Sequence, residues 1–415
     1  MDRRTFLSLG GGVLGVLVGG AHLGDALSRP RDEDEGGNTT GPSTTPSATE
    51  ATEATEQSTT EERQPTETPP RSFEPRDGDL LLGTSPQTLN VSALSALERW
   101  QGGQNAVVAV YVDVGASRED LLGFAESVLT SIWEHGNVPH VIWQPYVDGR
   151  EGTPETIPQD IAAGDHDRLL DRWADVLERW LRPHDGPERR LYLNFAPEMN
   201  GDWVPWDDSA GGTTAADYAA MYRHVHDVVM ARDLTERHVQ WVWAVNHTGR
   251  TSSPLSAFYP GDDYVDWCGV HGYNWSNWGG WKSPERVYGR TLDELAGVSD
   301  KPVLVSEYGC SSEVESGHDP AKKGEWIRDV FAYFRERGVG MALWFNHEKE
   351  TDWAVFGGSR GTERVTIDGT TYDAYREYRE AVGADWVLPA YPDHPRRLTD
   401  AEFRGAFDEA TVEVE

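Results

Sequence analysis

The sequence predicts a (β/α)8 barrel. Eight short apolar runs that resemble strands alternate with helical patterns between Leu80 and Asn346, and this alternation is typical of a parallel sheet covered by helices. No Gly-x-Gly-x-x-Gly pattern follows the first run, which disfavours an open dinucleotide-binding sheet. Polar and acidic residues end several of the runs, at the barrel face where such folds carry their chemistry.

The elements follow one another in a regular order. The eight predicted strands begin at residues 80, 106, 138, 192, 238, 264, 302 and 340. The predicted helices cover residues 92–100, 117–135, 166–181, 214–232, 284–295 and 319–337, with a last one over 370–383. In the second helix Leu121, Phe124 and Val128 recur roughly at helical spacing. Thr213 or Thr214 is a plausible cap for the fourth.

The first 30 residues are predicted to be a twin-arginine-type export signal. Arg3 and Arg4 precede an apolar, glycine-rich run from Leu9 to about Ala21. A short membrane anchor is the alternative, but the run is brief for a permanent span. We therefore expect a secreted or cell-surface protein with no stable membrane span after signal processing.

The remaining chain divides by composition into three parts. Residues 31–78 consist mainly of Thr, Glu, Pro and Ser and cannot bury a core, so they are predicted to be a disordered linker. Residues 79–385 carry the barrel pattern. Residues 386–415 form an acidic, proline-containing C-terminal tail that either wraps on the barrel or is partly loose.

The overall charge excludes one class of partner. Asp and Glu number 70 against 37 Lys and Arg, for a formal net charge of −33, and only five of the bases are Lys. Such a surface repels phosphates and argues against nucleic acid. It resembles surfaces of proteins from salt-loving organisms, where salt screens self-repulsion; an ordinary acidic secreted protein is the alternative.

The fourth predicted strand carries the first candidate catalytic residue. The run from Tyr192 ends in Glu198, Asn200, Trp203 and Trp206. A carboxylate can protonate a glycosidic oxygen, an amide can hold hydroxyls, and indole faces can stack on pyranose rings. The alternative is a solvated Glu beside core tryptophans.

A second glutamate, Glu307, ends the seventh predicted strand. Strands four and seven face each other across the barrel mouth, and two carboxylates about 5–5.5 Å apart would make a retaining glycosidase. Alternatively, one Glu pairs with an Arg and only holds a loop. No cluster of Cys and His has metal-ligand spacing, and this chemistry requires no cofactor or metal.

Four segments carry a resemblance to a known family. The stretch Glu198-Met-Asn-Gly-Asp-Trp-Val-Pro-Trp206 resembles the acid/base motif of glycoside hydrolase family 26. The segments around Glu307, Tyr273 and Trp344 resemble its seventh, sixth and eighth strands, and the similarity covers roughly residues 79–360. The resemblance implies a (β/α)8 hydrolase with Glu198 as acid/base, Glu307 as nucleophile and Tyr273 steadying the nucleophile.

The resemblance also implies a polysaccharide substrate, because the family includes β-mannanases, β-1,3-xylanases and mixed-linkage β-glucanases. We expect an exported, monomeric endo-β-glycosidase acting most readily on mannan-like chains, with residues 79–385 as its catalytic domain. The expected substrate-binding residues are Asn200, Trp203, Trp206, His271, Tyr273, Trp344 and Trp143.

Two positions depart from the family pattern. Pro197 stands where the family has His before the acid/base, and Asn194 stands where it usually has Arg. Either nearby groups such as His271 or His247 replace these functions, or the protein is an envelope-tethered carbohydrate-binding barrel with little or no turnover. We favour replacement.

Overall fold

The computed structural model describes residues 78–88, 90–209 and 212–407. The predicted signal and almost all of the predicted linker lie outside these residues. Within them, no helix combines the length and the apolarity needed to cross a membrane.

Eight parallel strands close a barrel, as the sequence predicted. Neighbouring strands pair in chain order, and the last pairs with the first, with Leu82 opposite Ala342. The barrel strands are β1 (Leu80–Pro86), β2 (Val107–Asp113), β3 (Val138–Gln144), β4 (Leu191–Phe195), β5 (Val239–Asn246), β6 (Trp267–Asn274), β7 (Val303–Cys310) and β10 (Val339–Asn346). Two short strands, β8 (Glu313–Val314) and β9 (Gly317–His318), form a hairpin after β7.

Helices cover the outside of the barrel. They are α1 (Val91–Gln101), α2 (Arg118–Gly123), α3 (Thr130–His135), α4 (Gly149–Gly152), α5 (Ile157–Ala162), α6 (Asp167–Leu181), α7 (Ala215–Met230), α8 (Leu255–Phe258), α9 (Pro284–Ala296) and α10 (Pro320–Glu336). In α6, Leu170, Trp173, Leu177 and Leu181 are buried at helical spacing against the barrel. A capping box between Thr214 and Asp217 begins α7.

One predicted helix is wrong in its first half. Residues 370–383 were expected to be helical, but Thr370–Ala374 is strand β13, which pairs with β11 (Phe356–Gly358) and β12 (Glu363–Ile367). Only α11, Arg376–Val382, is helical. Asp368 and Gly369 both have positive φ, as a tight hairpin turn requires, and the β-branched Thr370 and Thr371 favour a strand.

The C-terminal segment packs under the barrel as far as it is described. Strand β14 (Val387–Leu388) extends the sheet beside β1, and helix α12 spans Asp400–Arg404. The Phe403 carbonyl accepts hydrogen bonds from the hydroxyl of Tyr192 and the indole N–H of Trp267. These contacts attach the segment to the N-terminal ends of β4 and β6, opposite the face that carries the candidate site.

Candidate active site

A cleft of about 780 Å³, open to solvent, lies at the carboxyl ends of the barrel strands. Side chains from β2, β3, β5, β6, β7 and β10 and from the loops after β3, β4, β6 and β10 line it. Among them are Tyr111, Tyr146, Glu198, Trp206, Asn246, His271, Tyr273, Trp278, Glu307 and Phe345. This face is where barrels of this kind carry their chemistry.

Glu198 is held by an unusual backbone at the end of β4. Both Ala196 (φ 49°) and Glu198 (φ 64°) are in the left-handed region, which costs a non-glycine residue on the order of 1–3 kcal/mol. The surroundings fix this turn: the carbonyl of Ala196 accepts from Tyr218 and that of Pro197 from Trp206. Strain kept in place by such contacts is typical of functional positions.

Three N–H groups donate to the carboxylate of Glu198. Asn246 Nδ2 lies 2.7 Å and His271 Nδ1 3.2 Å from Oε1, and Trp203 Nε1 lies 3.0 Å from Oε2. Burial alone would raise the pKa of Glu198. The hydrogen bonds and the charge of His271 more than offset burial, so the pKa lies below its ordinary value of 4.5.

Glu307 is turned toward the same point by an irregularity in the sheet. The register of β6 and β7 shifts after Val270, so that His271 pairs with Glu307. The Tyr111 hydroxyl donates to Oε1 at 2.7 Å and the Tyr273 hydroxyl to Oε2 at 2.6 Å. Burial, followed by the charge of Glu307, raises the pKa of both tyrosines well above the usual range, so both remain donors.

His271 stands between the two glutamates. Its Nδ1 lies 3.2 Å from Glu198 Oε1 and 3.7 Å from Glu307 Oε2, so these two oxygens are at most about 6.9 Å apart. Burial lowers the pKa of His271, but Glu307 and Glu198 raise it more, and the net pKa lies above 6.5. The two carboxylates therefore favour the protonated form of the imidazole.

A buried polar network supports His271 from inside the barrel. Asn194 Nδ2 lies 3.4 Å from His271 Nε2 and donates to Ser306 Oγ at 3.0 Å. His140 Nε2 lies 3.0 Å from the same hydroxyl. Burial and the charge of His271 lower the pKa of His140 to about 3, which keeps that ring neutral. Asn194 is thus a neutral support for His271.

Of the remaining predicted residues, three hold the loop after β4. Asn200 exchanges two hydrogen bonds of 2.8 Å with the backbone of Asn246. Trp206 is fully buried but contributes to the cleft wall, and Trp203 is half-buried with its indole N–H on Glu198.

Two predicted substrate-binding residues are corrected by the structure. The side chains of Trp143 and Trp344 are fully buried on the outer face of the barrel sheet. There Trp143 packs against Trp173, and Trp344 packs against Tyr308. The cause is strand alternation, since successive side chains point to opposite faces. Ile142 and Phe345, one position away from these tryptophans, line the cleft instead.

Several cleft residues were not predicted from the sequence. Tyr111 belongs to none of the motifs described above. Asn246 was recognised only as the end of a strand, and Trp278 lies in a loop after β6. Arg150 and Lys349 also line the cleft from the loops that follow β3 and β10. Tyr111 could have been found by parity, because it lies two residues before the end of β2 and faces the interior.

Comparisons with known proteins agree with the motif resemblance. Residues 160–309 match the family model described as glycosyl hydrolase family 26. Endoglucanase H of Acetivibrio thermocellus is 29% identical over 313 residues, which are 73% of this chain and 30% of that protein. β-1,3-Xylanase TXYA of a Vibrio species is 28% identical over 113 residues, 27% of this chain and 21% of that protein. The chain thus spans less than a third of the length of these relatives.

Solved structures show the same fold. GH26C from a Muricauda species superposes with a TM-score of 0.56 at 15% identity, covering 78% of this chain and 89% of that one. A modular endo-β-1,4-mannanase from Cellulomonas fimi gives 0.53 at 18% identity, covering 81% and 76%. The (β/α)8 fold and the family resemblance are both confirmed.

Proposed function

We propose that this chain, which matches the model of glycosyl hydrolase family 26 over residues 160–309, is a retaining endo-β-glycosidase that acts on β-linked polysaccharide. Mannan is the first substrate to test, followed by β-glucan and β-1,3-xylan, the last two suggested by the named relatives. The observation that carries the proposal is the pair of buried glutamates that share His271 at the barrel mouth.

The proposed reaction has two displacements. Glu307 attacks the anomeric carbon while Glu198 protonates the departing glycosidic oxygen, which leaves a glycosyl ester on Glu307. Water then attacks the same carbon; Glu198 takes its proton, and the Glu307 carboxylate is released. The upper limit of about 6.9 Å between the two oxygens is compatible with the carboxyl separation of about 5–5.5 Å that a retaining mechanism requires.

The lowered pKa of Glu198 leaves the general acid without a proton, and His271 is the proposed source of that proton. A general acid must arrive protonated, yet three donors favour its carboxylate form. The two carboxylates favour protonation of His271, whose Nδ1 lies 3.2 Å from Glu198 Oε1, and we infer that the two groups titrate as one pair holding one proton. Transfer of that proton through Glu198 to the leaving oxygen would replace the functions that Asn194 and Pro197 do not supply.

The two tyrosines fit the role of the nucleophile. The hydroxyls of Tyr111 and Tyr273 fix both oxygens of Glu307 and stabilise its charged form before attack and after release. Trp278, half-buried on the cleft wall, is the proposed stacking surface for a sugar ring.

A carbohydrate-binding barrel with little turnover is the second candidate. The observation that favours it is the low pKa of Glu198, which leaves that carboxyl charged unless His271 serves as the proton source.

We also propose a route of export and an adaptation to high salt. Export by the twin-arginine route and function at high salt rest on Arg3, Arg4 and the net charge of −33. Dialysis to low salt should lower the melting temperature, because the Debye length grows from about 3 Å at 1 M to about 30 Å at 0.01 M and self-repulsion is no longer screened. A melting temperature indifferent to salt would contradict the salt proposal while leaving the glycosidase proposal intact.

The test of function is a substrate panel at molar salt. The wild type, Glu198→Gln and Glu307→Gln are assayed on mannan, β-glucan and β-1,3-xylan for new reducing ends. Turnover by the wild type and its loss in both folded variants are expected. Binding without turnover by the wild type would favour the second candidate.

A further inference from the structure

Two cations line the same cleft as the two glutamates. Arg150 belongs to α4, in the segment after β3, and Lys349 follows β10 three residues beyond its end. The chain has only five Lys among 415 residues and a net charge of −33. Cationic side chains gathered at the catalytic cleft are therefore not explained by an abundance of bases.

Gln144 and Tyr146 contact the guanidinium of Arg150. Its Nη2 donates to Gln144 Oε1 at 3.0 Å, and its guanidinium lies 4.7 Å from the centroid of the Tyr146 ring. Tyr146 in turn packs edge-on against Trp206, with ring centroids 5.0 Å apart. These contacts fix the plane of the guanidinium, and a fixed fork of donors suits a planar carboxylate.

Lys349 is largely withdrawn from water. Its side chain is 19% exposed, and its Nζ lies 3.6 Å from Glu350 Oε1. The net pKa of Lys349 lies below its ordinary value: burial lowers it most, Glu350 and Glu307 raise it, and the charge of Arg150, which lines the same cleft, lowers it. Asp113 is the further acid that interacts with Arg150. Bringing two cations together in a half-enclosed cleft costs free energy that a bound anion would offset.

We propose that this cleft accepts a β-linked polysaccharide carrying uronic acid units, with the carboxylate of one sugar bound between Arg150 and Lys349. The inference rests on the glycosidase function proposed above and narrows its substrate class. Arg150 would donate to both carboxylate oxygens, and Lys349 would add a point charge from the loop after β10. The alternative is that both cations only hydrogen-bond the hydroxyls of neutral sugars.

Two matched substrates distinguish binding of a uronate carboxylate from hydrogen bonding to neutral sugars. One is an oligosaccharide of β-linked uronates; the other is the same oligosaccharide after reduction of its carboxyl groups to primary alcohols. We expect the wild type to show a kcat/KM at least about tenfold higher on the uronate, because only that substrate makes charge-assisted bonds. Arg150→Gln and Lys349→Gln should each lower this ratio about tenfold, and Lys349→Arg should largely preserve it.

Arg290→Gln is the charge-matched control. Its side chain is 90% exposed on α9, pairs with Glu294 and does not line the catalytic cleft, so the ratio should not change. Circular dichroism verifies that each variant is folded. A wild type that prefers the reduced substrate, or a ratio that both Gln variants leave unchanged, would overturn the uronate inference alone. Turnover of neither the uronates, the reduced chains nor the neutral panel would overturn the glycosidase proposal itself.

Discussion

Replacing His271 with Gln tests the proposed proton source. Gln keeps a donor near Glu198 and Glu307 but cannot hold a proton for transfer. In the wild type the basic limb of the kcat/KM profile should lie above pH 6.5, the ordinary pKa of His that the two carboxylates raise. In the variant the limb should fall toward the ordinary Glu value of 4.5, because Glu198 then titrates without its partner.

The size of the effect follows from the contribution of a positioned general acid, which is typically about 10²–10⁴-fold. At pH 7, where Glu198 without His271 has no proton to donate, the loss in kcat/KM should be on the order of 10²-fold. At the acid end of the range, where Glu198 can bind its own proton, the loss should be much smaller. The penalty for losing His271 should therefore grow steeply with pH.

The assay is kcat/KM on a soluble oligosaccharide from about pH 4 to about pH 9. His140→Gln is the matched control, because His140 lies in the same barrel interior, has a pKa lowered to about 3 and contacts Ser306 rather than either glutamate. Its profile should keep the wild-type shape. A His271→Gln variant whose kcat/KM falls by the same factor at every pH would show that His271 has only a packing role and does not supply the proton.

Three further changes have expected outcomes. Tyr273→Phe removes a 2.6 Å hydrogen bond to Glu307 and should lower kcat about 10²-fold, whereas Tyr308→Phe, buried on the outer face, should not; equal losses would refute a special role for Tyr273. Trp278→Ala should raise KM about three- to tenfold with kcat within about twofold, from the loss of ring stacking, and an unchanged KM would remove it from the binding surface. Phe403→Ala, fully buried under the barrel, should lower the free energy of unfolding by about 3–5 kcal/mol in a denaturant titration; a loss below about 1 kcal/mol would mean that the C-terminal segment is dispensable.

The barrel could be predicted from the sequence because its signal is repeated eight times. Each strand is a short apolar run and each helix has an amphipathic period, so an error of one or two residues at an end does not alter the topology. The hairpin at Asp368 and Gly369 was missed because residues 370–383 were assigned to one helix, whereas Thr370–Ala374 forms the strand after the turn and only Arg376–Val382 is helical.

The candidate site was predictable only where a motif carried it. Glu198 lies in the loop after β4 and Glu307 in the C-terminal half of β7, and the two are close in space, as the sequence suggested. The tryptophans at 143 and 344 were misassigned because inward and outward positions alternate, and a shift of one residue reverses the face. The position of His271 between both glutamates depends on a register shift that no sequence pattern records.

The most direct test of the proposed double displacement is the anomeric configuration of the first product. Hydrolysis of a β-linked oligosaccharide from the active substrate class is followed by proton NMR at early times, before mutarotation. With Glu198 and Glu307 bridged by His271, the account predicts that the β-anomer forms first and the α-anomer appears only later. An α-anomer formed first would contradict the assignment of Glu307 as nucleophile.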